Sequence, residues 1–223
     1  TRVLLYGKGP LNYLYWLVRA RASGYDWVID YMGNPRSAVV TFASRAPVRA
    51  GPAHAAHSWA YTVPLRESPE PCYSAREKMR VLRALGLTPD EEDSLPRLTA
   101  DADSEDAAHR MLNRLRIPRE TLIGILPASR RVTRRWPAES FAAVGRMLRE
   151  SHGASLLVFW GPGERELAKS VRDRIGPGAY LAPETKDLRE LAALIGRCRL
   201  VLTNCNGPKH IAVARDVPTV TIH

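Results

Sequence analysis

Four arginines, a serine and a threonine crowd the stretch Ser129-Arg130-Arg131-Val132-Thr133-Arg134-Arg135, which follows the apolar run Leu122–Leu126 and ends at Trp136-Pro137. Guanidinium forks match phosphate oxygens two at a time, and hydroxyls add further donors. The chemistry on offer is capture of a phosphorylated ligand, with a solvated basic loop as the plain alternative. Its place just ahead of a helix favours phosphate. A second polar turn, Asn204-Cys205-Asn206-Gly207-Pro208-Lys209-His210, follows Leu200–Thr203 and precedes Ile211, Ala212 and Ala214. Gly207 can take backbone angles closed to other residues, and Pro208 suits a first helical turn. A strand, a tight turn and a helix opening with Gly-Pro leave N–H groups at a helix N-terminus, which attract an anion. His210 falls in that first turn, where it can donate to a phosphate or a leaving oxygen and where the dipole disfavours its cationic form. A buried histidine satisfied by the protein is the ordinary alternative. A third turn, Gly161-Pro162-Gly163-Glu164, sets a carboxylate at a helix start. There it stabilises the helix or holds ribose hydroxyls.

These turns need elements to position them. Apolar runs at Leu122–Leu126, Ser155–Trp160, Ala179–Leu181, Leu200–Thr203 and Thr219–Ile222 read as strands. Between them Ala138–Glu150, Glu164–Ile175, Asp187–Arg197 and Pro208–Arg215 read as helices, with Leu188, Leu191, Leu194 and Ile195 at the spacing of a buried face. Short apolar strands alternating with helices predict parallel βαβ units and a doubly wound sheet, whose ligands sit beyond the carboxyl ends of the strands. The first half alternates too. Val3–Tyr6 and Trp27–Tyr31 read as strands, and Leu11–Val18 as a helix. A helix starting near Arg36-Ser37 carries Val39, Val40 and Phe42, and Pro47–Gly51 and Trp59–Val63 are weaker extended pieces. Ala75–Leu85 reads as a helix with Met79, Leu82 and Leu85 on one face, ended by Gly86. Leu87–Glu105 breaks the pattern with prolines and acids, and Asp101–Asp106 opens a helix toward Leu115. The domain crossing is expected near Ile117–Thr121, giving domains 1–117 and 118–223.

Composition narrows the partners. The chain has 223 residues, and its net charge of +10 favours nucleic acid, anionic lipid or phosphorylated substrates. Nucleic acid ranks last, because no recognised motif or interleaving of aromatic and basic residues accompanies the charge. Three cysteines without CxxC spacing argue against a disulfide scaffold or zinc ribbon and fit a reducing, cytoplasmic compartment. His54, His57 and Cys72 lack a fourth ligand, so no metal is expected, nor any cofactor. Thr1–Tyr6 reads as a strand rather than a secretory signal, and no apolar run approaches the roughly 20 residues of a membrane span.

The order Ser129…Thr133-Arg134-Arg135-Trp136-Pro137, Trp160-Gly161-Pro162-Gly163-Glu164 and Asn204…Asn206-Gly207-Pro208-Lys209-His210-Ile211-Ala212…Val217-Pro218 resembles the heptosyltransferases of glycosyltransferase family 9. Tyr25-Asp26-Trp27-Val28-Ile29-Asp30 with Asn34…Arg36-Ser37 is similar to that family's acceptor side. The resemblance implies the GT-B architecture, two Rossmann-like doubly wound domains facing a cleft. An acceptor-side domain would cover 1–117 and a nucleotide-sugar-binding domain 118–223. It implies an inverting transferase moving heptose from ADP-heptose to a sugar hydroxyl of the lipopolysaccharide inner core. The partners would be an ADP-sugar donor, a phosphorylated lipid-linked acceptor and the inner face of the inner membrane. Carried over, Ser129, Thr133 and Arg134 contact phosphates and Glu164 holds the adenosine ribose. Cys205-Asn206-Gly207-Pro208 and His210 cradle the diphosphate-sugar, and Arg134 and His210 stabilise the departing diphosphate. Asn34, Arg36 and Ser37 fall on the acceptor side. The family commonly has Asp where Cys205 stands, which bears on the sugar and on activity. Its first strand, with the aspartate taken as catalytic base, is expected before Thr1, and further helices after His223. Another sugar nucleotide as donor, or a non-catalytic nucleotide-sugar binding module, are the rival readings.

Overall fold

The computed structural model describes residues 9–70, 72, 74–90, 95–118, 120–129, 133 and 135–222. The expected strand Val3–Tyr6 and the residues Arg130, Arg131, Val132 and Arg134 lie outside the described residues. The chain divides into two compact units, Thr1–Leu95 and Pro96–His223.

In the first unit three strands, β1 (Trp27–Ile29), β2 (Val48–Pro52) and β3 (Val63–Leu65), pair in parallel in that order. Helices α1 (Pro10–Ala22), α2 (Pro35–Ser44) and α3 (Ser74–Ala84) accompany them, with a 3-10 turn at Ser58–Ala60. That turn occupies part of the piece expected to be extended from Trp59. Helix α2 is entered through a reciprocal cap: Asn34 Oδ1 accepts from Ser37 N at 3.0 Å, and Ser37 Oγ accepts from Asn34 N at 3.2 Å. Its buried face is Ala38, Thr41 and Ser44, whereas Phe42 is half exposed and meets Trp59 edge-on. On α3 the fully buried residue is Val81, with the expected Met79, Leu82 and Leu85 half-buried.

The carboxyl end of β1 is tied down by Asp30. Its Oδ1 accepts from Met32 N and Gly33 N at 2.9 and 3.0 Å, and its Oδ2 accepts from Tyr61 Oη at 2.8 Å. The Tyr61 ring lies so close over β2 that a Cβ at Gly51 would meet it at 2.4 Å. Burial, reinforced by the Asp30 hydrogen bond and charge, pushes the Tyr61 phenol above its ordinary 10.0. An unfolded Tyr61 releases its proton near 10.0 while the folded one keeps it, so stability falls as pH rises past that value. Phenolate absorbance is expected to show a late-ionising tyrosine that disappears in Tyr61→Phe. A titration unchanged by that substitution would contradict the buried pair.

The second unit holds strands β4 (Leu122–Leu126), β5 (Ser155–Val158), β6 (Ala179–Leu181), β7 (Leu200–Asn204) and β8 (Thr219–Ile222). All are parallel, in the order β6-β5-β4-β7-β8. Alternate residues of β4 serve two cores. Leu122 and Leu126 pack with Leu112 of α4 (Ala102–Arg114), Leu194 of α7 (Leu188–Ile195) and Ala212 of α8 (Gly207–Ala214). Ile123 and Ile125 pack with Phe141 of α5 (Ala138–His152) and Val171 of α6 (Arg165–Ile175). Helices therefore cover both faces, as the continuous apolar strands require. Two expectations need correction. Leu188 is 68% exposed, since the buried face of α7 is Glu190, Ala192, Ala193, Leu194 and Ile195. The units part at Leu95/Pro96 rather than near Ile117. Helix α4 buries Ala108 and Leu112 in the second core, and Glu105 takes ion pairs from Arg197 and Arg215.

Candidate nucleotide-sugar site

Counted within the second unit, the strand order is third, second, first, fourth, fifth, so the direction of winding reverses between β4 and β7. Loops leaving these neighbours turn to opposite faces and leave a crevice between them, where ligands settle in such sheets. A crevice of about 580 Å³ lies there. Ser129 lines it after β4, Trp160, Gly161 and Glu164 after β5, and Cys205, Asn206, Gly207 and Pro208 after β7. Six of the expected residues are thus brought together at three strand ends.

Two asparagines hold the crevice open. Asn204, fully buried, accepts from Trp136 N at 3.0 Å and donates through Nδ2 to Pro127 O at 2.6 Å. Asn206 caps α8, its Oδ1 accepting from Lys209 N at 3.0 Å, and donates through Nδ2 to Ala128 O at 2.9 Å. Ser129 Oγ adds a longer bond to Cys205 O at 3.4 Å. Apart from the Asn206–Lys209 cap, each bond joins the loop after β4 to the end of β7 or the turn after it, so both walls are fixed relative to one another. Asn206, expected to cradle a ligand, has both ends of its amide engaged by the main chain. Asn204 was not among the expected site residues. Its signal was a polar side chain at the end of an apolar strand, with partners too distant in sequence to be guessed.

Gly207 does not use the conformational freedom expected of it. It is absent from the glycines with positive φ, so it adopts an ordinary helical entry. A Cβ there would meet nothing within 4 Å. The missing side chain leaves room in the crevice wall for a ligand to approach the main chain at the head of α8. Glu164, at the N-cap position of α6, folds back so that Oε2 accepts from Gly161 N at 3.0 Å. Trp160 is clamped through Nε1 to Ala182 O at 2.7 Å, with the Arg165 guanidinium over its ring.

Thr133 is exposed and His210, in the first turn of α8, is exposed as well; neither is among the described residues that line the crevice. Arg135 is bound through Nε to Ser129 O at 2.6 Å. Burial pushes the Cys198 thiol up to about 12; it lies in the core and does not line the crevice. In the first unit Asn34, Arg36 and Ser37 line a separate groove of about 570 Å³ with Tyr13 and Trp16. Asp30 is 5% exposed with its carboxylate occupied as described. His54, His57 and Cys72 go to different partners: Glu67, the Gly33 carbonyl and Glu77. Among the described residues no group of three or more His, Cys, Asp or Glu could hold a metal ion.

A family model described as glycosyltransferase family 9 (heptosyltransferase) matches residues 17–223. A lipopolysaccharide core heptosyltransferase, OpsX of Haemophilus influenzae, is 27% identical over 103 residues, 44% of this chain and 29% of OpsX. The solved structure of a family 9 glycosyl transferase from Veillonella parvula superposes with a TM-score of 0.80 at 26% identity, covering 96% of this chain and 63% of that one. Escherichia coli heptosyltransferase WaaC, solved with ADP, gives 0.66 at 22% identity over 92% of this chain and 64% of its own. The fold is therefore the expected α/β class with parallel sheets. The chain spans less than two thirds of the length of each of these relatives.

Proposed function

We propose that this chain, which belongs to glycosyltransferase family 9, holds the ADP part of an ADP-sugar in the crevice of its second unit and serves heptose transfer to the lipopolysaccharide inner core. The observation that carries this is the convergence of Ser129, Glu164 and Cys205–Pro208 on one crevice where the winding of the sheet reverses. The Escherichia coli relative solved with ADP supports the same nucleotide. In this reading Glu164 meets the ribose, and Ser129, Arg134 and the open wall at Gly207 take the diphosphate. His210 and Arg134 meet the charge that grows on the departing diphosphate, which is stabilisation by donors already in place. The first unit is the acceptor side, with Asn34, Arg36 and Ser37 along its groove. The acceptor is a phosphorylated, lipid-linked sugar, met by a peripheral protein at the inner face of the inner membrane. The basic balance of the chain suits such an anionic surface. No described helix is long and apolar enough to cross it.

Calorimetry with ADP, UDP and GDP tests the donor site. ADP is expected to bind most tightly and to compete with ADP-heptose. Equal affinity for the three diphosphates would remove adenosine recognition from the crevice and with it this reading.

A further inference from the structure

Among its described lining residues the crevice offers no positive charge to a ligand that brings a diphosphate. The one charged side chain among them is Glu164, an acid. Arg135 is already bound to Ser129 O. Apart from Arg165, whose guanidinium lies over the Trp160 ring, one described cation reaches the wall. Lys209 is the third residue of α8, and helical side chains lean toward the N-terminus. Its ammonium accordingly runs back along the turn to 4.0 Å from the sulfur of Cys205, which lines the crevice. Lys209 is partly buried, and among the described residues no carboxylate pairs with it. The first turn of a helix is also the wrong end for a cation, because the exposed N–H groups there carry partial positive charge. An ammonium so placed gains from an anion arriving with the ligand.

We infer that Lys209 is the phosphate-binding cation on the α8 side of the crevice, its ammonium pairing with the diphosphate over the Cys205 wall. The inference rests on the nucleotide-sugar reading and adds a residue to it. The Lys209 main-chain N–H is engaged by Asn206, so the contact belongs to the side chain. Lys209 forms and breaks no bond; it binds the group that leaves.

The test is calorimetry on the 223-residue protein with ADP, adenosine and inorganic pyrophosphate, comparing wild type with Lys209→Met and Lys209→Arg. A charge-assisted contact predicts that Lys209→Met weakens ADP and pyrophosphate about tenfold or more, with adenosine changed less than about twofold. Lys209→Arg is expected to recover most of that loss, and the ADP affinity of the Met variant to depend less on salt. ADP unchanged in Lys209→Met, or adenosine weakened as much as ADP, overturns the inference. Wild type that binds pyrophosphate but no nucleotide would end the nucleotide reading, and Lys209 would then stand or fall on pyrophosphate. Wild type that binds neither overturns both.

Discussion

Asn204→Leu is expected to melt about 10 °C below the wild type, the largest loss of stability from any single change at the crevice. Asn204 is fully buried and joins two loops that are 77 residues apart. Leucine has similar volume but strands Trp136 N and Pro127 O, both of which lose their side-chain partner. Each buried group left unsatisfied costs about 1–3 kcal/mol, so the pair amounts to roughly 2–6 kcal/mol of a total near 5–15. Asn204→Asp is the informative companion, since it keeps an acceptor for Trp136 N but sets a carboxylate against the Pro127 carbonyl. It is expected to melt below wild type as well. Thermal denaturation followed by circular dichroism decides the matter, and a leucine variant melting with the wild type would mean that the two loops are held by something else.

The largest expected effect on binding comes from Gly207→Leu. The fold tolerates a side chain there, because a Cβ meets nothing within 4 Å and the backbone angles are ordinary. The ligand does not, since the new side chain fills the opening at the head of α8. A steric conflict of about 1–3 kcal/mol corresponds to weakening of ADP by up to about 100-fold. The melting temperature is expected to stay near the wild-type value, and Gly207→Ala to fall between the two in affinity. A Gly207→Leu protein that binds ADP as tightly as wild type would show that the diphosphate does not lie against this turn.

The second unit was far more readable from sequence than the first. Leu122–Leu126, Ala179–Leu181 and Thr219–Ile222 begin and end as expected, and for the wholly buried β4 the reason is that a parallel strand covered on both faces leaves little room for polar residues. Once those strands were placed, the residues just past their carboxyl ends named most of the crevice. What stayed hidden depended on distant partners. Nothing near Asn206 announces that its amide reaches Ala128, 78 residues earlier. Periodicity put Leu188 inside, yet it opens its helix and faces solvent, one position after the Asp187 cap. The unit boundary was missed for the same reason: an acidic first turn identifies α4 as a helix but says nothing of the arginines, Arg197 and Arg215, that Glu105 will meet.

The placing of β4 at the centre of its sheet has a consequence for the newborn chain. β5 and β6 follow it closely and can pair on one side as they leave the ribosome, but the other edge belongs to β7. At translation rates of about 5–20 residues per second, the 77 residues from Pro127 to Asn204 take about 4–15 s to appear. For that interval Leu122–Leu126 presents an open, wholly apolar strand edge, a template for pairing with another nascent chain. Mispairing during synthesis is therefore most open over this window, and slow translation between Pro127 and Leu200 lengthens the exposure.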